Sequence, residues 1–116
     1  MKRSCYCGRL RRKDVGLNIT AQGWVQSKRD MGGVIFLDLR DREGVLQVVC
    51  DAALLSPEQF AMAEHIKNES VITAQGLIRL RSAETYNPSV ETGEIELAAD
   101  TLELLSPAQT LPISID

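Results

Sequence analysis

The chain has 116 residues, of which 44% are hydrophobic and 25% charged, and its formal net charge is −3. These values are typical of one globular domain, and they exclude a disulfide scaffold, which three cysteines cannot build, and a membrane span, which needs about 18 consecutive apolar residues. The basic N-terminus lacks the apolar segment of a secretory signal, so we expect a cytoplasmic protein with no membrane partner.

Three strands are predicted in the first half of the chain. Apolar and polar positions alternate through residues 17–27, and Gly23 within them indicates a bulge or a bend. The elements that follow are a loop at 28–33, a second strand at 34–40, a turn at 41–44 and a third strand at 45–50. Because this turn is short, we expect the second and third strands to form an antiparallel hairpin.

A helix is predicted after the third strand. Ser56 is a suitable N-cap, Pro57 suits the first helical position, and Gln59 completes a Ser-x-x-Gln capping box. The apolar stripe of this helix consists of Phe60, Met62, Ala63 and Ile66. The stripe predicts that one helix face packs on the core.

The last two predicted strands complete a recognisable order of elements. They lie at 70–81 and 94–105, separated by a loop rich in turn-forming residues at 82–93. The order β-β-β-α-β-β is that of an all-β fold with one helix, the five-stranded OB-fold Greek-key barrel, with a generic α+β sandwich as the alternative. We expect residues 1–106 to form this domain and 107–116 to begin a linker.

The second strand carries an aromatic residue on its polar face. A period of two directs Phe36 and Asp38 to one face, and the hairpin places Gln47 opposite Asp38 on that same face. An exposed ring beside an amide suits an unstacked nucleic-acid base, because the ring stacks on the base and the amide bonds its edge. The alternative is that Phe36 lies beneath a neighbouring loop in a minor apolar cluster.

Charged residues on other strands favour the same face. Arg79 and Arg81 share one side of the fourth strand, Glu96 is predicted outward on the fifth, and Lys28 and Arg29 follow the first. Arginines suit phosphates and base planes, and a carboxylate can accept a hydrogen bond from a base edge. Residues 1–50 hold ten Lys/Arg against five Asp/Glu, and residues 51–116 hold three against eleven. This asymmetry indicates a polyanion-binding face, with solvated surface charge as the alternative.

No catalytic or metal-binding set is recognisable. The sequence has no Gly-rich phosphate loop and no Ser–His–Asp arrangement, and His65 is its one histidine. Cys5 and Cys7 are too close for ordinary zinc-ligand spacing, so these thiols and Cys50 are predicted to be reduced. We therefore predict no catalytic residue, no metal and no cofactor within this chain.

Several of these segments carry a resemblance to a known family. They are YCGRL (6–10), GWV (23–25), KRDMGGVIFLDLRDREGVLQVV (28–49), GLIRLR (76–81) and TGEIEL (92–97). Together they resemble the N-terminal anticodon-binding domain of bacterial aspartyl-tRNA synthetase, an aspartate–tRNA ligase, from about Tyr6 to Leu111.

The resemblance implies an OB-fold that receives a tRNA anticodon loop. In this family the aromatic residue of the second strand stacks on the central anticodon base, a uridine, and Phe36 matches that position. Gln47 and Glu96 match positions that bond the edge of this uridine. The family positions near the anticodon-loop backbone and the flanking bases are matched here by Arg29, Arg79, Arg81 and Asn87. Met31 matches a variable loop position that borders the first anticodon base and can influence whether asparagine tRNA is also accepted, which the residues leave open.

The resemblance also implies a longer parent enzyme. Its class II catalytic domain would bind ATP, Mg and aspartate and would form a homodimer. We expect the present chain to be an excised domain, with a free-standing paralogue as the alternative. Two other functions stay open on the residues alone. One is a sequence-tolerant single-stranded nucleic-acid-binding OB protein, and the other is an OB domain whose sheet face contacts protein.

Overall fold

The computed structural model of the protein describes residues 10–81 and 92–106. The elements, in chain order, are a 3-10 helix (Arg12–Asp14), β1 (Asn18–Asp30), β2 (Val34–Asp41), β3 (Gly44–Asp51), α1 (Pro57–His65), β4 (Val71–Leu80) and β5 (Ile95–Ser106). The predicted order β-β-β-α-β-β is confirmed. The predictions for Cys5, Cys7, Asn87 and the linker at 107–116 lie outside the described residues.

The five strands form one closed barrel. Its strand order is β1-β2-β3-β5-β4, and β4 pairs back to β1, so that the predicted OB-fold class is confirmed. All pairings are antiparallel except that of β3 with β5, which is parallel and joins three residue pairs. The fully buried interior is filled by Val25, Ile35, Leu37, Leu39, Leu46, Val48, Ile72, Ile78, Ile95 and Leu97. These side chains alternate with outward-facing ones, as a barrel requires.

The β2–β3 hairpin has the predicted register. Asp38 lies opposite Gln47, and Phe36 lies opposite Val49. The turn is closed by Asp41, whose Oδ1 accepts a hydrogen bond from the backbone N–H of Glu43 at 2.9 Å. Because the turn fixes the register, the whole hairpin presents its predicted faces to the core and to the surface.

Strand β1 departs from the prediction at its C-terminal end. It continues through residues 28–30, which were expected to be loop, and its bulge lies between Val25 and Ser27 rather than at Gly23. Gly23 instead allows a close backbone approach, since an added Cβ would lie 2.2 Å from the carbonyl oxygen of Arg40. The bulge re-aims every side chain that follows it in β1.

Helix α1 begins as predicted, with one difference. Ser56 is the N-cap and its Oγ accepts from the backbone N–H of Gln59 at 3.2 Å, which confirms half of the predicted capping box. The other half is wrong, because the side-chain oxygen of Gln59 accepts from the backbone N–H of Leu102 in β5. This bond attaches the first turn of α1 to the barrel, where the helix packs against β3 and β5 with Ala63 fully buried.

Within the described ranges, no helix has the length and apolar character that crossing a membrane requires.

Candidate nucleic-acid interface

Four polar side chains from four different strands meet on the outer face of the barrel. They are Arg29 of β1, Gln47 of β3, Glu96 of β5 and Arg79 of β4, here named the polar row. Strand register brings them together: Gln47 pairs with Glu96 across the parallel contact, and Glu96 pairs with Arg79 across the antiparallel one. Neighbours paired across strands share a sheet face, so their side chains stand side by side.

The polar row is a continuous set of hydrogen bonds. Arg29 Nη2 donates to Gln47 Oε1 at 2.9 Å, and Gln47 Nε2 donates to Glu96 Oε1 at 2.9 Å. Arg79 Nε donates to Glu96 Oε2 at 2.7 Å, so each oxygen of this carboxylate has a donor. Because charged partners stand at both ends, the amide of Gln47 is held in one orientation.

The amide of Gln47 lies on the predicted face, but it is not exposed. Gln47 is 0% exposed and Glu96 is 6% exposed, although the sequence analysis placed both on the outward, polar face. The cause is lateral packing: Gln47 stands between Asp38 on β2 and Glu96 on β5, and Arg29 lies over its oxygen. A local pattern of alternation predicts the face of a strand residue, whereas neighbours brought in by long-range pairing decide its exposure.

The ring of Phe36 also lies on this outer face. Its neighbours Ile35 and Leu37 point inward and are fully buried, while Phe36 is partly buried. The guanidinium carbon of Arg29 lies 5.3 Å from the ring centroid, within the range of a cation–π contact. The ring therefore belongs to the surface of the sheet, and an arginine of β1 covers it.

Two residues that the sequence analysis did not assign to the site lie beside Arg29. Ser27 Oγ donates to Asp38 Oδ2 at 2.6 Å, and Asp38 Oδ1 lies 3.8 Å from Arg29 Nη2. The β1 bulge places Ser27 opposite Asp38 and Arg29 opposite Phe36. The sequence indicated an irregularity in β1 at a different residue, and for that reason these contacts were not predicted.

Arg81 lies near the same group. Its Nε donates to the backbone oxygen of Ile95 at 3.0 Å. Burial lowers the pKa of Arg81, the negative charges of Asp38 and Glu96 raise it, and the positive charge of Arg29 lowers it further. The charges of residues on β1, β2 and β5 therefore all act on Arg81, which places it beside the polar row. Arg79 and Arg81 were predicted to lie on this side together.

Lys28 does not join this group. It lies opposite Leu37, on the other side of β1 from Arg29, and its Nζ donates to the backbone oxygens of Glu64 at 2.6 Å and Ile66 at 3.0 Å. A cation beside the last carbonyls of a helix is favoured by the helix dipole. The structure therefore assigns Lys28 to the C-terminal end of α1, in contrast to the predicted position at the rim of the site.

The cavity and the histidine of the described chain lie away from the polar row. A cavity of about 430 Å³ lies near the C-terminal end of α1, lined in part by Met62, His65 and Leu104, and it borders no residue of the polar row. His65 Nδ1 lies 2.8 Å from the backbone oxygen of Ala61, so this ring bonds to its own helix. Among the residues that the structure describes, no three His, Cys, Asp or Glu side chains group around a metal position.

Comparison with known proteins extends these observations. The tRNA anti-codon family model, described as "OB-fold nucleic acid binding domain", matches residues 19–105. The chain is 47% identical over 116 residues to the aspartate–tRNA(Asp/Asn) ligase of Moorella thermoacetica, and 44% identical over 115 residues to the aspartate–tRNA ligase of Geobacillus kaustophilus. These alignments cover 100% and 99% of this chain and 19% of each relative. The relatives confirm the resemblance to bacterial aspartyl-tRNA synthetase, of whose length the chain spans about a fifth.

A solved structure agrees on the fold. The aspartyl tRNA synthetase from Entamoeba histolytica superposes with a TM-score of 0.80 at 20% sequence identity, covering 97% of this chain and 23% of that one. At this identity the similarity establishes the barrel architecture.

Proposed function

Because the chain belongs to the family of OB-fold nucleic acid binding domains, we propose that it binds the anticodon loop of a tRNA on the face that carries the polar row. One observation carries the proposal. A partly buried aromatic ring, Phe36, and an oriented amide, Gln47, lie on one face of adjacent strands, beside arginines from β1 and β4. This is the face that OB-folds use for oligonucleotides.

In the proposed complex, Phe36 stacks on the central anticodon base. Stacking of a base on an aromatic side chain contributes about 1–3 kcal/mol. Gln47 bonds the edge of the base, and Glu96 keeps the Gln47 amide in place through the 2.9 Å hydrogen bond. An amide offers an acceptor beside a donor, which matches the N3–H and a neighbouring carbonyl of uracil. The choice of uridine follows from the resemblance to the aspartyl-tRNA synthetases.

The arginines supply positive charge around this base. Arg29, Arg79 and Arg81 are proposed to contact phosphates or flanking bases, and the resemblance adds Asn87. Arg79 and Arg81 each donate through Nε to an oxygen of β5, and three arginines neutralise only a small number of phosphates. We therefore expect a shallow dependence of affinity on salt.

The parent protein is proposed to be an aspartate–tRNA ligase of the cytoplasm. The names of the relatives support this activity, and their greater length leaves room for a catalytic domain. That domain would bind aspartate, ATP and Mg and would form a homodimer. The chain itself would contribute tRNA selection and no catalytic residue.

Titration of four anticodon stem–loops that differ only in the central base tests the proposal. We expect the stem–loop with central uridine to bind about 5- to 150-fold more tightly than the others, the range that one well-formed base contact provides. Equal affinity for all four would favour a sequence-tolerant single-strand binder. No binding to any stem–loop would favour a domain that contacts protein through this face.

A further inference from the structure

We propose that Arg29 occupies the place of the base in the free protein, and that RNA binding exchanges its guanidinium for the base. This inference rests on the proposed function. Its basis is that the guanidinium already makes both contacts assigned to the base. It lies 5.3 Å from the centroid of the Phe36 ring, and it donates to Gln47 Oε1 at 2.9 Å. A guanidinium resembles a base in being flat and in carrying N–H donors along its edge.

The exchange moves the most exposed member of the polar row. The Arg29 side chain is 52% exposed and lies one residue before the end of β1, whereas Gln47 is fully buried between its neighbours. Asp38 Oδ1 lies 3.8 Å from Arg29 Nη2, a long separation for an ion pair, and solvent screens the half-exposed guanidinium. Rotation of the Arg29 side chain therefore opens the ring face and the amide oxygen, while the rest of the site keeps its geometry.

The exchange also imposes a requirement on the incoming base. When a base takes the place of Arg29, Gln47 Oε1 loses the Arg29 donor and is shielded from water by that base. A buried acceptor without a donor is strongly unfavourable. Only a base with its own hydrogen-bond donor at this oxygen replaces the hydrogen bond that Arg29 provided. A base that only stacks on Phe36 therefore binds weakly. Arg29 thus acts as a positioning residue that raises selectivity at the expense of affinity.

Two ligands separate this role from an ordinary RNA contact. The nucleoside uridine is neutral and carries no phosphate, so its affinity reports on access to the ring and the amide. The stem–loop with central uridine also reports on phosphate contacts. Arg29→Ala is expected to raise the affinity for uridine about two- to five-fold, the factor to which an exposed cation–π contact corresponds. The same variant is expected to lower the affinity for the stem–loop, because a cation is lost.

Arg40→Ala is the matched control, since Arg40 lies on the outer face of β2 and bonds Gln26 instead of the ring. We expect it to leave the affinity for uridine unchanged. Both affinities are measured by NMR titration of the chain. A fall in uridine affinity in Arg29→Ala would overturn the inference, since Arg29 would then be an RNA contact only.

The side-chain resonances of Arg29 test the exchange directly. In the free protein they should show upfield ring-current shifts that are absent in Phe36→Leu, and adding the stem–loop should remove these shifts. Absence of the shifts in the free protein, or their persistence in the bound state, would overturn the exchange while leaving the proposed function intact. A stem–loop that fails to bind the unmodified chain would overturn both.

Discussion

The side chains of Gln47 and Glu96 are 49 residues apart in the sequence, and Gln47 Nε2 donates to Glu96 Oε1 at 2.9 Å. The bond crosses the short parallel contact between β3 and β5. The second oxygen of Glu96 accepts from Arg79, so neither group can turn without breaking a charged hydrogen bond. The amide proposed to bond the base is therefore oriented before any base arrives.

Glu96→Gln is expected to disturb this orientation. The new amide offers one acceptor to the two donors of Gln47 and Arg79, so one hydrogen bond is lost. The Arg79 side chain is 40% exposed, and water replaces part of its loss, so we expect the free energy of unfolding to fall by about 1–2 kcal/mol. Urea denaturation measures this change. In stem–loop titrations the preference for central uridine should shrink, and an undiminished preference would show that Glu96 does not orient the amide.

Phe36→Ala should separate binding from folding. We expect stem–loop affinity to fall about 5- to 150-fold, corresponding to the loss of one stacking contact. The fully buried neighbour Leu37 provides the comparison, because Leu37→Ala should cost about 2–5 kcal/mol of stability. The loss in Phe36→Ala should be less than half of that. If urea denaturation gives equal losses for both variants, the ring is part of the core.

Lys28→Ala should affect stability and not RNA binding. Its ammonium group bonds the carbonyls at the end of α1, where a cation contributes about 0.3–1 kcal/mol. We expect a loss of that size in urea denaturation and an unchanged affinity for the stem–loop. The exposed Lys67, which follows α1, is the control for the loss of one positive charge. A fall in stem–loop affinity that exceeds the effect of Lys67→Ala would place Lys28 in the interface.

Gly76→Ala is expected to disrupt the barrel. An added Cβ would lie 2.0 Å from the backbone oxygen of Ala98, and neither backbone can yield without breaking the β4–β5 pairing. We expect a loss of at least about 3 kcal/mol, the upper end of the range for overpacking. Gly33→Ala is the matched control, since its Cβ would meet no atom within 4 Å. Thermal denaturation measures the stability of both variants. If Gly76→Ala were as stable as Gly33→Ala, the close approach of the two backbones would be contradicted.

Cys50 predicts how stability changes at alkaline pH. Burial raises the pKa of this thiol from 9.0 to about 12, although the nearby charge of Lys28 lowers it. Above pH 9 the unfolded thiol loses its proton while the folded one keeps it, so the contribution is fully present below pH 9 and is lost between pH 9 and 12. The slope from this group is at most about 1.4 kcal/mol per pH unit.

Urea denaturation of the unmodified chain and of Cys50→Ala at pH 8, 9 and 10 measures this slope. The variant should be less stable at pH 8, because it leaves a cavity in the core. Its stability should then fall less steeply above pH 9. Parallel curves for the two proteins would contradict a buried, protonated thiol.

The β2–β3 hairpin could be predicted from the sequence because the residues that determine its register are close together in the chain. The four-residue turn fixes the register, and the register fixes the faces of Phe36 and Gln47. The sequence was insufficient for β1, because the bulge between Val25 and Ser27 has no distinct residue signature and reverses the face of Lys28.

The burial of the site residues also could not be predicted from the local sequence pattern. That Gln47 is buried depends on Glu96 in β5 and on Arg29 in β1, and no periodicity within β3 reports on either. Gln59 is a second example. The capping motif predicted a hydrogen bond within the helix, but the side-chain oxygen of Gln59 accepts from the backbone N–H of Leu102 in β5 instead. Sequence patterns thus predicted the side-chain faces of β2 and β3, and long-range pairing decided the contacts.

The short parallel contact between β3 and β5 also determines when the site comes into existence. Gln47 and Glu96 become neighbours only through this contact, and Glu96 is in the strand that is last in chain order among those described. A nascent chain that has emerged from the ribosome only as far as β4 lacks the carboxylate that orients the amide. Completion of the barrel and orientation of the amide are thus acquired in a single step, once β5 has been synthesised.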